Sequence, residues 1–291
     1  MKIQVLNRGT FAAVFVASVW GLSFVAASIA LRTISPILLA TIRFIIASLL
    51  FLPVIIRSLV ENKLPSRRDL REMAFLGLIS ISIYFWLRYT GVKFAGAGVS
   101  ALITVGFIPI LTGLASSILL NELFERRRVV GVATGFTGIA FIVLPNLMIG
   151  KVESRFYLGV LCLFGNAVCF SVYSTLSKRL LGKYPEPVLV TSYVMFFGSL
   201  ALLPMSMLSD WSSIHSLEMI QWVSIFYLAL VCSGLAYYLW NYALSKIDAV
   251  QAATWLYLEP VVAFLGSFIL EGAVPGALTI IGGILVIVGH S

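Results

Sequence analysis

The run 251–266 combines a carboxylate and a proline within an otherwise apolar stretch. Placing Glu259 in hydrocarbon would cost about 2.5–3.5 kcal/mol, and Pro260 removes the backbone donor that would bond the carbonyl of Leu256. Groups so unfavourable in an apolar segment indicate a function. Glu259 could bind a proton or the ammonium group of a substrate, and the alternative is a buried structural pair with another helix.

Two arginines also fall inside apolar runs, Arg43 and Arg88. A guanidinium group binds a carboxylate through two parallel hydrogen bonds, so either arginine could hold a substrate carboxylate or pair with Glu259. The alternative for both is that the long side chain extends to the membrane interface. Arg43 lies deeper in its run than Arg88, which favours the binding role for Arg43.

Aromatic and uncharged polar residues recur at helical spacing in other apolar runs. Arg88 follows Tyr84 by one turn, and Tyr173 follows Asn166 by two turns. Aromatic rings with a few hydroxyl and amide groups are typical of a pocket for an amphipathic solute, although helix packing also uses them. The sequence therefore predicts the following substrate-binding residues: Trp20, Ser23, Arg43, Tyr84, Arg88, Asn166, Tyr173, Tyr237, Asn241, Trp255 and Glu259.

Motifs of enzymes and cofactor sites are missing from the sequence. Neither His215 nor His290 has metal-ligand spacing around it, and the chain contains no phosphate-binding glycine loop and no serine elbow. We therefore predict no catalytic residue, no metal and no cofactor. The expected partner is a small-molecule substrate.

The composition is that of a polytopic membrane protein. The 291 residues are 60% hydrophobic and 11% charged, with a mean hydropathy of +1.03. Ten apolar runs are long enough to cross about 30 Å of hydrocarbon. They lie near 11–31, 36–56, 73–92, 97–119, 128–146, 156–177, 187–208, 219–244, 249–270 and 274–290. The predicted fold is all-α with ten transmembrane helices surrounded by membrane lipids.

The loops between these runs differ in their content of lysine and arginine. Basic loops resist translocation, and the basic residues concentrate in loops such as 57–71, 126–128 and 178–183. This distribution places both termini in the cytoplasm and the protein in the cytoplasmic membrane. It also explains the net charge of +8 without a nucleic acid partner.

Prolines recur between the two halves of the chain. A shift of 151 residues places Pro36 on Pro187, Pro53 on Pro204, and Pro109 on Pro260. Five helices per half is an odd number, so the second copy must enter the membrane from the other side, as in inverted-repeat transporters. We predict repeats at 1–150 and 151–291. Pro109 and Pro260 are predicted hinges, and static kinks are the alternative.

The order of short motifs along the chain resembles a known family. Trp20-Gly-Leu-Ser-Phe24, Arg43-Phe44, Asn121-Glu122, Tyr257-Leu-Glu-Pro260 and Gly282-Gly283 are similar to those of the drug/metabolite transporter superfamily, and of its ten-helix EamA-type members in particular. The resemblance implies secondary transport, with efflux of metabolites and no use of ATP. One departure is that Glu122 follows Pro109 by 13 residues whereas Glu271 follows Pro260 by 11.

The function predicted from the sequence is therefore export of small amphipathic metabolites, such as amino acids, by alternating access through a central cavity. Proton coupling through Glu259 fits this mechanism, and the oligomeric state stays unspecified. One alternative is efflux of cationic drugs, which would use Glu259 and the aromatic residues but not the arginines. A lipid-translocating or structural membrane protein is the alternative from another class.

Overall fold

The structure, a computed structural model, describes residues 8–121, 129–130, 133–134, 136–137, 141, 155–271, 281 and 285. All regular secondary structure in these residues is helical. The fifth and tenth predicted helices, 128–146 and 274–290, fall mostly outside the described residues, as do both termini. Ten helices and two inverted repeats therefore remain predictions.

The first half begins with two long helices, α1 (Arg8–Ala30) and α2 (Pro36–Val60). Ser35 caps α2 through its side chain, and Pro36 occupies the first helical position, where no backbone donor is needed. The next helix is composite. It runs through α3 (Arg67–Gly77), a π-helical segment (Leu78–Ile83) and α4 (Tyr84–Ser100), and a second π-helical segment (Ala101–Val105) then leads into α5 (Gly106–Leu119).

The second half repeats this pattern of long and composite helices. It contains α6 (Phe156–Lys183), α7 (Pro187–Ser206), a 3₁₀ turn (Trp211–Ser216), α8 (Met219–Phe226), a π-helical segment (Tyr227–Leu235), α9 (Ala236–Leu244), α10 (Ala249–Thr254), a 3₁₀ segment (Trp255–Tyr257) and α11 (Leu258–Glu271). The predicted helix at 249–270 is thus divided into three pieces. The division falls just before Pro260, where the missing donor weakens regular α-helical bonding.

Seven helices within the described residues are long and apolar enough to cross a membrane. Large apolar side chains such as Leu161, Ile118 and Ile269 are exposed on the outside of the protein, as expected for surfaces that contact lipid. The described part of the chain is therefore that of a multi-pass membrane protein.

Contacts between the halves define two ends of the molecule. At one end, here called the basic end, Asp69 accepts hydrogen bonds from Lys183 Nζ at 2.7 Å and from the Tyr184 hydroxyl at 2.8 Å. Burial, followed by this bond to Asp69, raises the pKa of Tyr184, so its hydroxyl remains a donor at neutral pH. At the other end, the far end, Gln221 Nε2 donates to Thr33 Oγ1 at 2.5 Å.

A close helix crossing joins the halves between these ends. A Cβ atom on Gly77 would lie 2.5 Å from the Val194 carbonyl oxygen, and one on Gly198 would lie 2.8 Å from the Gly77 carbonyl oxygen. The small residues therefore allow the backbones of α3 and α7 to touch. This crossing fixes the position of Tyr84 and Arg88, which follow α3 in the same composite helix.

Candidate functional site

A cavity of about 190 Å³ lies between helices of both halves. Its wall contains charged, aromatic and small side chains: Trp20, Ser23, Phe24, Ala27, Leu31, Arg43, Tyr84, Phe85, Arg88, Tyr89, Thr104, Val105, Ile108, Phe170, Tyr237, Leu256 and Glu259. The lining residues of α1 extend from Trp20, in the middle of the helix, to Leu31 beyond its end. The cavity therefore extends from the middle of the protein toward the far end.

Arg88 points into this cavity. Its guanidinium carbon lies 4.5 Å from the centre of the Phe24 ring, and Nη1 donates to the Tyr84 hydroxyl at 2.9 Å. Glu259 lines the same cavity as Arg88. Stacking on an aromatic face and one hydrogen bond hold the guanidinium in a fixed orientation and leave further N–H donors for a ligand.

Arg43 is held on the same wall by residues of both halves. Its side chain is 4% exposed, and Nε donates to Ser233 Oγ, which lies in the π-helical segment of the second half. The guanidinium carbon lies 5.1 Å from the Phe44 ring centre and 5.0 Å from that of Phe85. In the described residues Arg43 forms no salt bridge, so its charge is available to an anionic group in the cavity.

Glu259 faces the arginines from the opposite half. Its side chain is 5% exposed and forms no salt bridge within the described part of the chain. The 3₁₀ segment Trp255–Tyr257 precedes it, and Pro260 follows it. A Cβ atom on Gly21 would lie 2.8 Å from the Glu259 carbonyl oxygen, so glycine allows α1 to pack directly against this turn.

Aromatic rings form the floor of the cavity. The Trp20 ring centre lies 5.7 Å from that of Phe170, 5.6 Å from that of Tyr237 and 5.6 Å from that of Trp240. The Trp20 indole donates to the Cys232 carbonyl at 2.9 Å, and Tyr237 donates to the Ser80 carbonyl at 3.3 Å. Both acceptors lie in π-helical segments, where the backbone geometry frees carbonyl groups from regular bonding.

The predicted binding residues separate into two groups. Those that line the cavity are Trp20, Ser23, Arg43, Tyr84, Arg88, Tyr237 and Glu259. Asn166, Tyr173 and Asn241 are buried outside the wall, where Asn166 donates to the Tyr84 carbonyl at 2.8 Å and Asn241 donates to Thr191. Trp255 does not line the cavity, because the 3₁₀ segment that it begins changes the direction of the side chains that follow Thr254.

Ten of the lining residues are not among those predicted from the sequence, and three of them, Phe85, Tyr89 and Thr104, lie beside the charged or unpaired groups of the wall. Phe85 and Tyr89 follow the spacing i, i+4 on the face that carries Arg88, so the helical pattern around Arg88 could have identified them. Thr104 lies in a π-helical segment, and its hydroxyl has no hydrogen-bond partner among the described residues. A single hydroxyl in an apolar run carries no comparable sequence signal.

The arrangement offers recognition groups for a ligand of mixed character. Two guanidinium groups, one carboxylate and several aromatic faces surround one small space, and both guanidinium groups are already oriented by their neighbours. In the described residues no group of three or more histidine, cysteine, aspartate or glutamate side chains could hold a metal ion. The charged and aromatic side chains of the wall suit the cavity to binding an organic solute through charge pairing and ring contacts.

The family of the chain follows from comparison with known proteins. The model of the EamA-like transporter family matches residues 7–144 and again residues 157–290. The two matches cover most of the chain, so the protein belongs to this family and is a membrane transporter.

Individual relatives agree with this assignment. An uncharacterized transporter of Archaeoglobus fulgidus is 32% identical over 93% of this chain and 92% of its own length. A probable terminal-alkyne amino-acid exporter of Streptantibioticus cattleyicolor is 26% identical over 98% of this chain and 92% of its own. A solved crystal structure shares the fold, with a TM-score of 0.79 over 97% of this chain and 94% of that one at 20% identity.

Proposed function

We propose that this protein is a secondary active transporter that exports small amphipathic metabolites, such as amino acids, across the cytoplasmic membrane. The observation that carries the proposal is the meeting of Arg43, Arg88 and Glu259 on one aromatic cavity. A zwitterion presents a carboxylate and an ammonium group a short distance apart, and this cavity presents both complementary charges. Export is consistent with the name of the amino-acid exporter among the relatives.

Each wall of the cavity has a role in this proposal. The guanidinium groups of Arg43 and Arg88 bind the substrate carboxylate, and Glu259 binds the ammonium group or a proton that couples transport. Trp20, Tyr84 and Tyr237 contact the apolar part of the substrate. Asn166, Tyr173, Asn241 and Trp255 lie outside the wall in this state, and they meet the substrate only after the helices rearrange.

The proposed architecture is ten transmembrane helices in two inverted repeats of five, divided at 1–150 and 151–291. Two structural coincidences support it. Moving the π-helical segment Leu78–Ile83 by 151 residues places it at 229–234, inside the π-helical segment Tyr227–Leu235. Pro109 and Pro260 each follow a segment that departs from α-helical geometry, Ala101–Val105 and Trp255–Tyr257, which supports a hinge at both positions.

The basic end lies in the cytoplasm in this proposal, together with both termini. Arg57, Lys63, Arg179 and Lys183 meet there, and basic segments remain on the cytoplasmic side of membranes. The cavity then extends toward the outside. Since the far end is the outer one, the protein is in an outward-facing state from which an exported substrate leaves.

Charge and size favour a metabolite over a cationic drug. Two guanidinium groups and one carboxylate give the cavity an excess of positive charge, which repels a cation. Its volume of about 190 Å³ is also below the roughly 300–1,000 Å³ that is typical of sites for drug-sized ligands. Replacing Arg43 by Ala tests this choice, because transport of a carboxylate substrate requires the arginine and efflux of a cation does not.

The test of the function is transport of labelled amino acids in proteoliposomes, with and without a proton gradient. We expect Glu259→Gln and Trp255→Ala together to abolish most of the flux. Glu61→Gln is the matched control, because hydrogen bonds from Lys63 and Arg57 lower the pKa of Glu61 to about 2 and the substitution thus removes a full charge at an exposed site. Flux unchanged by the double substitution would refute the assignment of the site.

A further inference from the structure

Helix α6 carries a polar face that the proposed function does not use. Ser171, Ser174, Thr175, Lys178 and Gly182 follow the spacing i, i+3, i+4, i+7, i+11, which places them on one side of the helix. The face begins at the cavity, because Ser171 Oγ donates to the carbonyl of the cavity residue Ile108 at 3.2 Å. It ends at Gly182 on the basic end, where a Cβ atom would meet nothing within 4 Å. At 1.5 Å per residue the face is about 16 Å long.

Polar side chains in the middle of this face are fully buried, which is energetically unfavourable for a hydroxyl group without a hydrogen-bond partner. Ser174 and Thr175 are both 0% exposed, and the Thr175 hydroxyl has no hydrogen-bond partner among the described residues. Leaving a buried hydroxyl without a partner costs about 1–3 kcal/mol. Simple helix packing would favour an apolar side chain at this position. The hydroxyl is understandable if water or a solute reaches it in another conformation.

The predicted repeat of 151 residues indicates the conformation in which a solute would reach this hydroxyl group. Subtracting 151 from the five positions gives Trp20, Ser23, Phe24, Ala27 and Leu31, which are the residues of α1 and of the turn after it that line the cavity. Inverted repeats exchange their roles when such a transporter changes state. The face of α6 thus corresponds to the wall of α1, seen from the other side of the membrane.

Two contacts close the space in front of this face. The Trp240 indole donates to Ser174 Oγ at 3.3 Å, and the same ring packs behind the cavity residue Trp20, with 5.6 Å between the ring centres. Lys178 Nζ donates to the carbonyls of Leu244 and Ile247, where α9 ends and its unpaired carbonyls attract a positive charge. Both partners belong to the segment that follows the π-helical Tyr227–Leu235. Movement of this segment would uncover the face along its whole length.

We propose that Ser171, Ser174, Thr175 and Lys178 form the wall of a second vestibule, through which the substrate passes between the central cavity and the basic end. The hydroxyl groups provide hydrogen bonds along the path. The Lys178 ammonium, once the end of α9 has moved away, attracts the carboxylate of an incoming substrate. This assignment rests on the proposed transport function and on the inverted repeat.

The test is labelling of single cysteines by a membrane-impermeant methanethiosulfonate reagent, added to right-side-out or to inside-out vesicles. The background replaces Cys162, Cys169 and Cys232, which are the free cysteines of the chain. We expect Thr175→Cys to react from the side opposite to that from which Ser23→Cys reacts. A second state populated at roughly 0.1–10% would make Thr175→Cys react at about that fraction of the rate of an exposed thiol. Ser174→Cys repeats the test if Thr175→Cys does not fold.

Leu180→Cys is the matched control. Leu180 is also 0% exposed and lies nearer the basic end, but on the opposite side of α6, so its thiol should not react. A variant that transports amino acids but whose cysteine at 174 or 175 does not react from the basic end would overturn the second vestibule. Equal reaction at Leu180→Cys would also overturn it. Reaction at the expected side without vectorial amino-acid flux would instead refute the proposed function and leave the vestibule in place.

Discussion

The hydroxyl group of Tyr84 helps to orient the guanidinium group of Arg88 in the cavity, so a substitution of this one residue should change substrate binding. Tyr84 accepts from Arg88 Nη1 at 2.9 Å and is 5% exposed. A hydrogen bond to a charged group contributes about 1.5–3 kcal/mol, and each 1.4 kcal/mol is a factor of ten in affinity. We therefore expect Tyr84→Phe to raise the KM for a carboxylate substrate by about tenfold or more, measured as initial flux into proteoliposomes against substrate concentration.

The control for this substitution is Tyr157→Phe, because Tyr157 is 75% exposed on the outside of the same protein. Its KM and thermal midpoint should both equal those of the unmodified protein. An unchanged KM in Tyr84→Phe would mean that Arg88 does not depend on this hydroxyl for its orientation. A lower maximal flux with no change in KM would assign Tyr84 to the conformational step and not to binding.

The interrupted helix that contains Glu259 shows which site residues can be predicted from the sequence and which cannot. An intramembrane charge is visible in any hydropathy pattern, so Arg43, Arg88 and Glu259 could be predicted as cavity residues. The prediction of Trp255 as a binding residue assumes a continuous α-helix, in which Trp255 and Glu259, four residues apart, would share one face. Three residues of 3₁₀ geometry turn by about 120° each and not 100°, so the register shifts by roughly 60° across Trp255–Tyr257.

Several helix starts were also predictable to within a few residues, but the predicted break between 92 and 97 is wrong, because α4 runs without interruption from Tyr84 to Ser100. Proline at the first turn marks the starts of α2 and α7, and the apolar runs 156–177 and 219–244 begin where α6 and α8 begin. The π-helical segments were not predictable, because one extra residue per turn leaves no trace in hydrophobic composition. Their carbonyls bind Trp20 and Tyr237, so part of the cavity floor was hidden from the sequence as well.

The proposed hinge at Pro260 can be tested by a substitution that straightens the helix. Replacing it by Ala supplies a donor for the Leu256 carbonyl and favours a continuous helix through the 3₁₀ segment. We expect Pro260→Ala to raise the thermal midpoint and to slow flux several-fold, because a hinge that is straightened resists the conformational change. Thermal unfolding in detergent and flux in proteoliposomes measure the two effects.

Pro53→Ala provides the comparison for Pro260→Ala. Pro53 also lies inside a helix, but α2 continues without a change of geometry from Pro36 to Val60. Its substitution should therefore leave the flux near the normal value. If the two variants slow transport equally, the slower flux is a general result of replacing a proline within a helix, and the assignment of a hinge at Pro260 is wrong.

The crossing of α3 and α7 makes a prediction about stability alone. A methyl group on Gly77 would lie 2.5 Å from the Val194 carbonyl oxygen and 2.6 Å from the Gly198 amide nitrogen, which are backbone atoms that cannot rotate away. We expect Gly77→Ala to destabilise the protein by about 1–3 kcal/mol, the usual effect of overpacking. Gly182→Ala, where the methyl group meets nothing within 4 Å, should be neutral or slightly stabilising in the same thermal assay.

For the whole molecule, ionic contacts between the two halves hold the basic end together, whereas the cavity extends toward the far end. Asp69 of the first half binds Lys183 and Tyr184 of the second, and Glu72 binds Arg179 at 2.6 Å. These pairs connect the two halves, whereas the salt bridges of Glu61 in the described residues are to Arg57 and Lys63 of its own half. In the proposed transport cycle, contacts between the two halves break when the basic end opens, so they set the balance between the two proposed states.

We therefore expect Asp69→Asn to shift this balance toward the state that is open at the basic end. Lys183 is 52% exposed, which limits the contribution of its ion pair to about 1 kcal/mol or less and the shift to a few-fold. The measurement is the labelling rate of Thr175→Cys from the basic end, which should rise by that factor in the Asp69→Asn background. Glu61→Gln removes an equal charge from the same end without touching the other repeat, and it should leave the rate unchanged. Equal rates in the two backgrounds would mean that these inter-repeat pairs stabilise the fold and do not control which end is open.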